Sequence, residues 1–262
     1  MAQHFASRLS FARSEDQSCV QIIPVNEYLR GSTLTARLRR PLPSARIENL
    51  IDEALFVGSD HAIYRDVLKR LLDIVIVLIA ALPTLLIVGL FGALIARDGH
   101  SPFYTQNRLG RNGRVFRIWK LRSMVPNADS KLQAHLATDP AARAEWDRSQ
   151  KLRKDPRITS IGHLIRKTSI DELPQLWNVL IGDMSIVGPR PMMPCQQGIY
   201  PGTAYYALRP GITGYWQIAV RNESSFSQRA GFDTAYLQQL SLYNDVRVIL
   251  KTFRVVMRAT GY

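Results

Sequence analysis

A run of 23 residues without a charged side chain, Ile74–Ala96, constrains this chain more than any other feature of its sequence. At about 1.5 Å per residue, a helix of that length is long enough to cross the hydrocarbon core of a bilayer. A buried helix of a soluble protein is the alternative, but the run has no polar stripe that would mark a solvent-facing side. The sequence therefore predicts a membrane segment.

Basic residues flank this run on both sides. They are Arg65, Lys69 and Arg70 before it, and Arg97, Arg108, Arg111, Arg114, Arg117, Lys120 and Arg122 after it. Basic flanks favour the cytoplasmic side of a membrane, so both ends favour the same side. Pro83 lies near the middle, where it removes one backbone hydrogen bond and favours a bend. We therefore predict a re-entrant helix over 71–97 that enters and leaves on one side; a kinked spanning helix is the alternative.

The net charge of +13 lies entirely in residues 61–262, because residues 1–60 hold seven basic and seven acidic side chains. The N-terminal region also lacks a sustained apolar period, so we expect it to be variable and disordered. A basic body indicates a polyanionic partner: anionic lipid, a phosphorylated substrate or nucleic acid.

Two adjacent carboxylates, Asp171 and Glu172, stand between basic residues at 166–167 and a segment at 182–191 that contains glycines and an arginine. A phosphoryl-transfer site needs such parts: a carboxylate that attacks phosphorus or holds a metal, and positive charges that hold phosphate oxygens. The alternative is structural, since Ser169 to Glu172 has the S-x-x-E spacing of a capping box. In the first turn of a helix, the dipole would keep Asp171 ionised.

Residues 114–120 alternate in character, which predicts a strand after the turn at 110–113. The two faces of this strand would carry Phe116, Ile118 and Lys120 on one side, and Arg117 and Trp119 on the other. Aromatic side chains interleaved with basic ones suit either nucleic acid or lipid head groups. The neighbouring apolar run favours the head groups.

Two surface helices are predicted before the carboxylate pair, the second beginning at Asp139-Pro140, a cap followed by proline at the first helical position. The last 30 residues carry apolar side chains at three- and four-residue spacings, with basic residues between them. This pattern indicates one or two basic amphipathic helices that lie in a membrane interface or pack on the domain.

These segments resemble the bacterial sugar transferases, also called polyprenyl-phosphate hexose-1-phosphate transferases or monotopic phosphoglycosyl transferases. The resemblance covers about Tyr64 to Tyr262 and rests on four strings in the family's order: FYTQNRLGRNGRVFRIWKLRSM, DPRITSIGHLIRKTSIDELPQLWNVLIGDMSIVGPRP, RPGITGYWQ and LKTFRVVMRATGY. It implies an α/β, mostly α, membrane-embedded monotopic enzyme with one re-entrant membrane helix and interfacial amphipathic helices. One transferase domain would occupy 61–262, with a small cytosolic catalytic part and a C-terminal amphipathic helix at 103–262. One departure is Leu82, because the family often has serine before this proline.

The resemblance also implies the reaction. A sugar 1-phosphate moves from a UDP-sugar, with galactose or glucose preferred, to undecaprenyl phosphate at the cytoplasmic face of the bacterial inner membrane. UMP is released, as the first membrane step of exopolysaccharide or O-antigen synthesis. The expected partners are these two substrates and the membrane; a homodimer is allowed, and nucleic acid is not expected.

Residue roles follow from the same resemblance, position by position. Asp171 matches the nucleophile and Glu172 its partner, and both are candidate ligands of Mg²⁺. The candidate phosphate-binding residues are Arg190, Arg166, Lys120 and Arg122, and Pro83 is the candidate break in the membrane helix. A non-catalytic basic membrane scaffold that binds anionic lipid or nucleic acid is the alternative function. It accounts for the charge and the apolar run, but not for a carboxylate pair between phosphate-binding arginines.

Overall fold

The structure is a computed structural model that describes residues 63–149, 152–219, 226 and 228–257. The described residues belong to two compact units: one holds Asn127–Arg157, and the other runs up to Pro126 and resumes at Ile158. The catalytic part expected over 103–262 is therefore interrupted by the smaller unit. The prediction for residues 1–60 lies outside the described residues.

A single long helix, α1, runs over Lys69–Ala96 and continues a π-helical turn at Tyr64–Leu68. The predicted apolar segment is confirmed, since the helical residues Tyr64–Ala96 are long and apolar enough to cross a membrane. Pro83 lies inside α1, and the helix continues past it instead of ending there, so the expected bend remains a prediction. One missing backbone hydrogen bond can kink a helix without ending it, because the turns on either side keep their own bonds.

α1 has one covered face and one uncovered face. The covered or half-covered positions repeat every three or four residues and include Asp73, Val77, Ala80, Thr84, Val88 and Ile95. The uncovered face carries side chains that are 61–75% exposed, namely Leu78, Ile79, Leu82, Leu85, Leu86 and Leu90. A contiguous apolar surface of this kind suits lipid better than water.

Both ends of α1 are fastened to the larger unit by polar contacts. Near the start of the helix, the buried Asp245 carboxylate accepts hydrogen bonds from Tyr64 at 2.7 Å and from Lys69 at 2.6 Å. Just after its end, Arg122 donates two hydrogen bonds to Asp98, at 2.8 and 2.7 Å. Both ends of the helix are therefore bound to the larger unit.

An antiparallel hairpin follows the helix. It consists of β1 (Phe103–Leu109), a 3₁₀ turn (Arg111–Gly113) and β2 (Val115–Leu121). The predicted strand is confirmed together with its alternation, because Phe116 and Ile118 are buried while Arg117 and Trp119 are exposed. Lys120 lies on the same face as the buried pair and is half-buried. The hairpin thus presents a lysine at the edge of the core.

The rest of the larger unit consists of short helices and strands. In chain order they are α4 (Ser160–Lys167), a 3₁₀ turn (Ile170–Glu172), α5 (Gln175–Ile181), β3 (Ser185–Val187), a 3₁₀ helix (Pro194–Ile199), α6 (Ala204–Ala207), β4 (Gly211–Thr213), α7 (Tyr215–Ala219), α8 (Arg229–Gln238) and α9 (Leu242–Met257). β3 and β4 are parallel neighbours. The described chain is thus an α/β fold that is mostly α, as expected.

The smaller unit contains the two predicted surface helices, α2 (Ala128–Thr138) and α3 (Pro140–Ser149). The predicted cap is confirmed, since Asp139 Oδ1 accepts hydrogen bonds from the backbone N–H groups of Ala141 and Ala142. The unit has its own small core of Leu132, Leu136 and Ala142.

The C-terminal helices pack on the core and also expose apolar surface. α9 buries Asp245 and Val248, whereas its outer face exposes Leu242, Tyr243, Val246, Leu250 and Phe253. One helix therefore fulfils both alternatives given by the sequence: one face packs on the domain, and the other is suited to an interface.

A single asparagine joins the hairpin to the segment after the carboxylate pair. Asn178, in α5, is fully buried. Its side-chain oxygen accepts a hydrogen bond from the Trp119 N–H at 3.0 Å, and its amide nitrogen donates to the Arg117 carbonyl at 2.7 Å. The edge of β2 that does not face β1 is thereby paired with a side chain, which fixes α5 beside Lys120.

Replacing this asparagine should loosen the link between α5 and β2. Asn178→Ala leaves two partly buried backbone groups without partners, which should lower the free energy of unfolding by about 2 kcal/mol. In a domain of this size the melting temperature should fall by roughly 4–8 °C, measured by thermal denaturation in detergent. Asn107→Ala, in β1, is the control and should change it little. Equal melting temperatures for Asn178→Ala and the wild type would contradict this role.

Candidate active site

The carboxylate pair lies on a single 3₁₀ turn, Ile170–Glu172, that directly follows Ser169 in the left-handed conformation (φ 59°). Ser169 makes no side-chain capping bond, so the predicted capping box is wrong. The physical reason is local. The left-handed residue and the tight turn let the Glu172 N–H bond to the Ser169 carbonyl at 3.2 Å, and the Glu172 side chain points elsewhere.

Glu172 faces two basic side chains from different parts of the chain. Its Oε1 lies 2.8 Å from Lys120 Nζ on β2 and 3.7 Å from Arg190 in the loop after β3. Both pairs are half-buried, where an ion pair is stronger than at a fully exposed site. The structure thus brings together three of the predicted site residues around one carboxylate.

Asp171 has a different environment from its neighbour. Burial raises the pKa of Asp171 to about 6, against the opposing effect of Lys120, while Glu172 adds to the increase. Among the described residues, no side chain donates a hydrogen bond to this carboxylate. With a pKa of about 6 the carboxylate is still mostly ionised at neutral pH. Since α5 begins only at Gln175, burial rather than a helix dipole is the main influence on this pKa.

A small open cleft lies beside Glu172, and Asp171 is not among its lining residues. It is lined by Lys120, Glu172 and Arg190, and also by Arg108, Gln175, Ile118, Pro191, Gly211 and Ile212. Arg108 and Gln175 were missed as site residues by the sequence reasoning. Arg108 lies two residues before the turn glycine of the hairpin. The contacts of β1 with the loop after β3, from Arg108 to the Pro191 carbonyl and from the Leu109 N–H to the Met192 carbonyl, place it near Arg190, so spacing along the chain carries no signal for it.

The loop that carries Arg190 is held by close backbone contacts. The Gly188 N–H bonds to the Thr213 carbonyl at 2.8 Å, and the Gly211 N–H bonds to the Pro189 carbonyl at 2.8 Å. A Cβ on Gly188 would lie 2.3 Å from the Arg209 carbonyl oxygen, so glycine is required there. The predicted turn is therefore a rigid support that presents Arg190 to the cleft.

Two of the predicted phosphate-binding residues make contacts of another kind. Arg166 donates from Nε to the Ser123 hydroxyl at 2.9 Å. Arg122 directs its guanidinium to Asp98 and to the carbonyls of Ser101, Met124 and Ile95. Arg122 therefore fastens the end of α1 to the hairpin, and its contact with phosphate remains a prediction.

The donor set suits Mg²⁺ in one specific way. No group of three or more His, Cys, Asp or Glu side chains that could hold a metal occurs within the described ranges. Mg²⁺ in phosphoryl-transfer sites usually binds one or two carboxylates, substrate phosphates and several waters. Asp171 and Glu172 fit that mode, in which a bound diphosphate completes the ligands.

A model of the family described as "Bacterial sugar transferase" matches residues 64–259 of this chain. The chain belongs to the bacterial sugar transferase family. The match covers every element from the π-helical turn to α9, including the carboxylate pair and the cleft.

Individual relatives agree with this assignment. The chain is 48% identical over 198 residues to a UDP-galactose-lipid carrier transferase of Erwinia amylovora, covering 74% of this chain and 41% of the relative. It is 42% identical over 198 residues to the exopolysaccharide production protein ExoY of Sinorhizobium fredii, covering 74% of this chain and 87% of the relative. It is 36% identical over 200 residues to a UDP-glucose:undecaprenyl-phosphate glucose-1-phosphate transferase of Caulobacter vibrioides, covering 71% of this chain and 68% of the relative.

The length of the match differs among these relatives. The chain spans about two fifths of the length of the Erwinia protein, but most of the length of the Sinorhizobium protein. The matched segment contains the candidate site in full, so a chemistry for that site can be proposed from its own residues.

The raised pKa of Asp171 predicts how its replacement changes stability. Its ordinary pKa is 3.8, so above about pH 4 the folded protein binds more protons here than the unfolded chain does. Burial of the carboxylate therefore costs stability as the pH rises, and the full cost is present above about pH 6. Asp171→Asn removes this cost at neutral pH and should raise the melting temperature by about 2–4 °C, which corresponds to roughly 1 kcal/mol after allowance for partial exposure.

The measurement is thermal denaturation in EDTA without nucleotide, at about pH 7.5 and about pH 5. The gain should shrink at the lower pH, where the wild-type carboxyl is protonated in the fold. Asp129→Asn removes an exposed carboxylate from α2 and should show no such pH dependence. A lower melting temperature for Asp171→Asn at pH 7.5 would contradict the assigned environment.

Proposed function

We propose that this protein transfers a sugar 1-phosphate from a UDP-sugar to undecaprenyl phosphate through a covalent intermediate on Asp171. The observation that carries the proposal is the contrast within the carboxylate pair: Glu172 is held by Lys120 and Arg190, whereas Asp171 is half-buried and accepts no hydrogen bond from a side chain in the described part of the chain. A carboxylate that is neither neutralised nor solvated is a competent nucleophile. Membership of the sugar transferase family supplies the substrate class.

In the first step, an Asp171 carboxylate oxygen attacks the β-phosphorus of the UDP-sugar. A new acyl-phosphate bond forms, the bond from the β-phosphorus to the bridging oxygen breaks, and UMP departs with the electron pair. Lys120 and Arg190 lie where they can hold phosphate oxygens and offset the charge that develops on them. Mg²⁺ held by Asp171 and Glu172 would supply further charge neutralisation of the diphosphate.

In the second step, an oxygen of undecaprenyl phosphate attacks the same phosphorus. The acyl-phosphate bond breaks, the diphosphate-linked sugar forms on the lipid, and the Asp171 carboxylate is regenerated. The group that leaves in the first step and the group that attacks in the second step are both phosphates, so one set of basic side chains can serve both steps. Glu172 stays paired throughout and keeps Lys120 oriented toward the cleft.

The names of the relatives divide between galactose and glucose as the sugar. The Erwinia relative is named for UDP-galactose and the Caulobacter relative for UDP-glucose. We propose one of these two hexoses as the sugar here.

Release of UMP is the test of the reaction class. The purified protein in Mg²⁺ should release UMP from UDP-galactose or UDP-glucose when undecaprenyl phosphate is present, and EDTA should abolish the release. Asp171→Asn should lower turnover at least about a thousandfold, the scale on which loss of a nucleophile acts. Asp129→Asn, the matched control, should retain the wild-type rate. A basic membrane scaffold would release no UMP from any UDP-sugar, and an active Asp171→Asn variant would remove Asp171 as nucleophile.

The membrane arrangement follows from how α1 is fastened. Its two ends are bound to the same unit, through Asp245 at one end and Arg122 at the other. Its covered face lies against protein and its uncovered face carries leucines and isoleucine. We propose that α1 is embedded in the cytoplasmic leaflet of the inner membrane without crossing it, with a bend at Pro83. Both basic flanks then remain at the cytoplasmic face, where the nucleotide sugar is available.

Cysteine labelling tests this topology. Ser59→Cys and Ser130→Cys, each in a background with Cys19 and Cys195 replaced by serine, lie before and after α1. Both should be protected from a membrane-impermeant thiol reagent in intact cells, and both should react once the inner membrane is opened. UMP release by the background protein verifies its fold. Labelling of the residue 59 site from outside would show that α1 spans the membrane.

A further inference from the structure

Two arginines, Arg108 and Arg190, line the active-site cleft, and only Arg190 is expected there from the sequence. A third, Arg229, lies near enough to both to affect their charges. Arg108, Arg190 and Arg229 come from β1, from the loop after β3 and from the start of α8. Burial and the nearby Arg190 guanidinium lower the pKa of Arg108 to about 10, and burial and Arg190 likewise lower the pKa of Arg229 to about 10. Their positive charges repel one another, so a bound anion would lower the electrostatic free energy of the three arginines.

Hydrogen-bond donors in the same wall lack acceptors. Arg108 donates to the Pro191 carbonyl at 3.1 Å and to Gln106 at 2.6 Å, but its buried Nε has no partner among the described residues. The buried Gln175 Nε2 is also without a partner there, and Gln175 lines the same cleft. A buried donor without an acceptor costs free energy, so an oxygen-rich ligand in the cleft would relieve both.

Arg229 and Arg190 both contact the aromatic ring of Trp216. The Arg229 guanidinium lies 4.1 Å from the centre of the Trp216 ring, and the Arg190 guanidinium lies 5.9 Å from the same ring. Trp216 is buried. Both cations lie within the range of a cation–π attraction to this one ring, which helps to hold Arg190 at the mouth of the cleft.

We propose that Arg108 and Arg190 together form a clamp for the diphosphate of the nucleotide sugar, with Gln175 as an additional donor and with Arg229 and Trp216 as positioning residues. This rests on the proposed function. Lys120 is held by Glu172 at 2.8 Å, whereas Arg190 lies 3.7 Å from that carboxylate and Arg108 bonds to Pro191 and Gln106. The charges of the two arginines are therefore less neutralised than that of Lys120 and add to its action on the leaving phosphate. A pair of guanidinium groups matches the two phosphates of the donor, whereas the lipid acceptor carries one phosphate.

The test is steady-state UMP release, with the two substrates varied separately. Arg108→Gln should raise the KM for the UDP-sugar about 10- to 100-fold, the loss expected for a charged hydrogen bond, and leave the KM for undecaprenyl phosphate within about twofold. Gln175→Leu keeps the volume and should raise the KM for the UDP-sugar about 2- to 10-fold. Arg117→Gln, on the exposed face of β2, is the matched control and should leave the KM for the UDP-sugar and the KM for undecaprenyl phosphate unchanged.

Direct binding provides a readout that a merely structural role would not change. Titration of the wild type with UDP should alter tryptophan fluorescence, because Arg190 shifts relative to Trp216, and Trp216→Phe should remove the signal. Arg108→Gln should weaken UDP binding about 10- to 100-fold at an unchanged melting temperature. If Arg108→Gln does not fold, Gln175→Leu carries the test.

The outcomes separate this inference from the function on which it rests. Absence of UMP release by the wild type from every UDP-sugar would overturn the proposed function. Wild-type activity combined with an unchanged UDP-sugar KM and UDP affinity in a folded Arg108→Gln variant would overturn the clamp alone. A raised KM for undecaprenyl phosphate only would also overturn it, because the arginines would then hold the acceptor.

Discussion

The two hydrogen bonds of Asn178 join the parts of the molecule on which its chemistry depends. They attach α5, which follows the carboxylate pair, to the free edge of β2, which carries Lys120. Without that attachment, Lys120 and Glu172 belong to segments more than 50 residues apart, each with its own freedom. A fully buried amide that pairs with backbone on both sides has one favourable orientation, and this fixes the distance between the lysine and the carboxylate.

The active site gains its properties from an unequal division of charge. Glu172 shares its oxygen with Lys120 and Arg190, while Asp171 lies beside it with a pKa raised to about 6. Arg108 adds a cation whose Nε has no acceptor among the described residues. Such a site stores electrostatic free energy that a bound diphosphate would release. The fold keeps this arrangement because the surrounding loops are held by backbone contacts that do not depend on the charges.

The sequence predicted the features that depend on local pattern. The apolar run, the alternation of β2 and the cap of α3 all follow from side-chain periodicity or from one residue type at one position, and the structure has each of them. Prediction from the sequence failed where contacts between distant parts of the chain determine the conformation or position of a residue. Ser169 takes a left-handed conformation in place of a capping role. Arg108 reaches the cleft because β1 bonds to the loop after β3, which no spacing along the chain reveals.

The central claim is that Asp171 forms a covalent bond to the sugar phosphate, and trapping that adduct tests it most directly. The protein is incubated with a UDP-sugar labelled in the hexose, with Mg²⁺ and without undecaprenyl phosphate, then quenched and analysed by mass spectrometry of its peptides. The account predicts one equivalent of UMP per active site and a mass increase of one hexose phosphate on the peptide that contains Asp171. UMP release that requires undecaprenyl phosphate, with no adduct on that peptide, would show direct transfer between the substrates and would contradict the account.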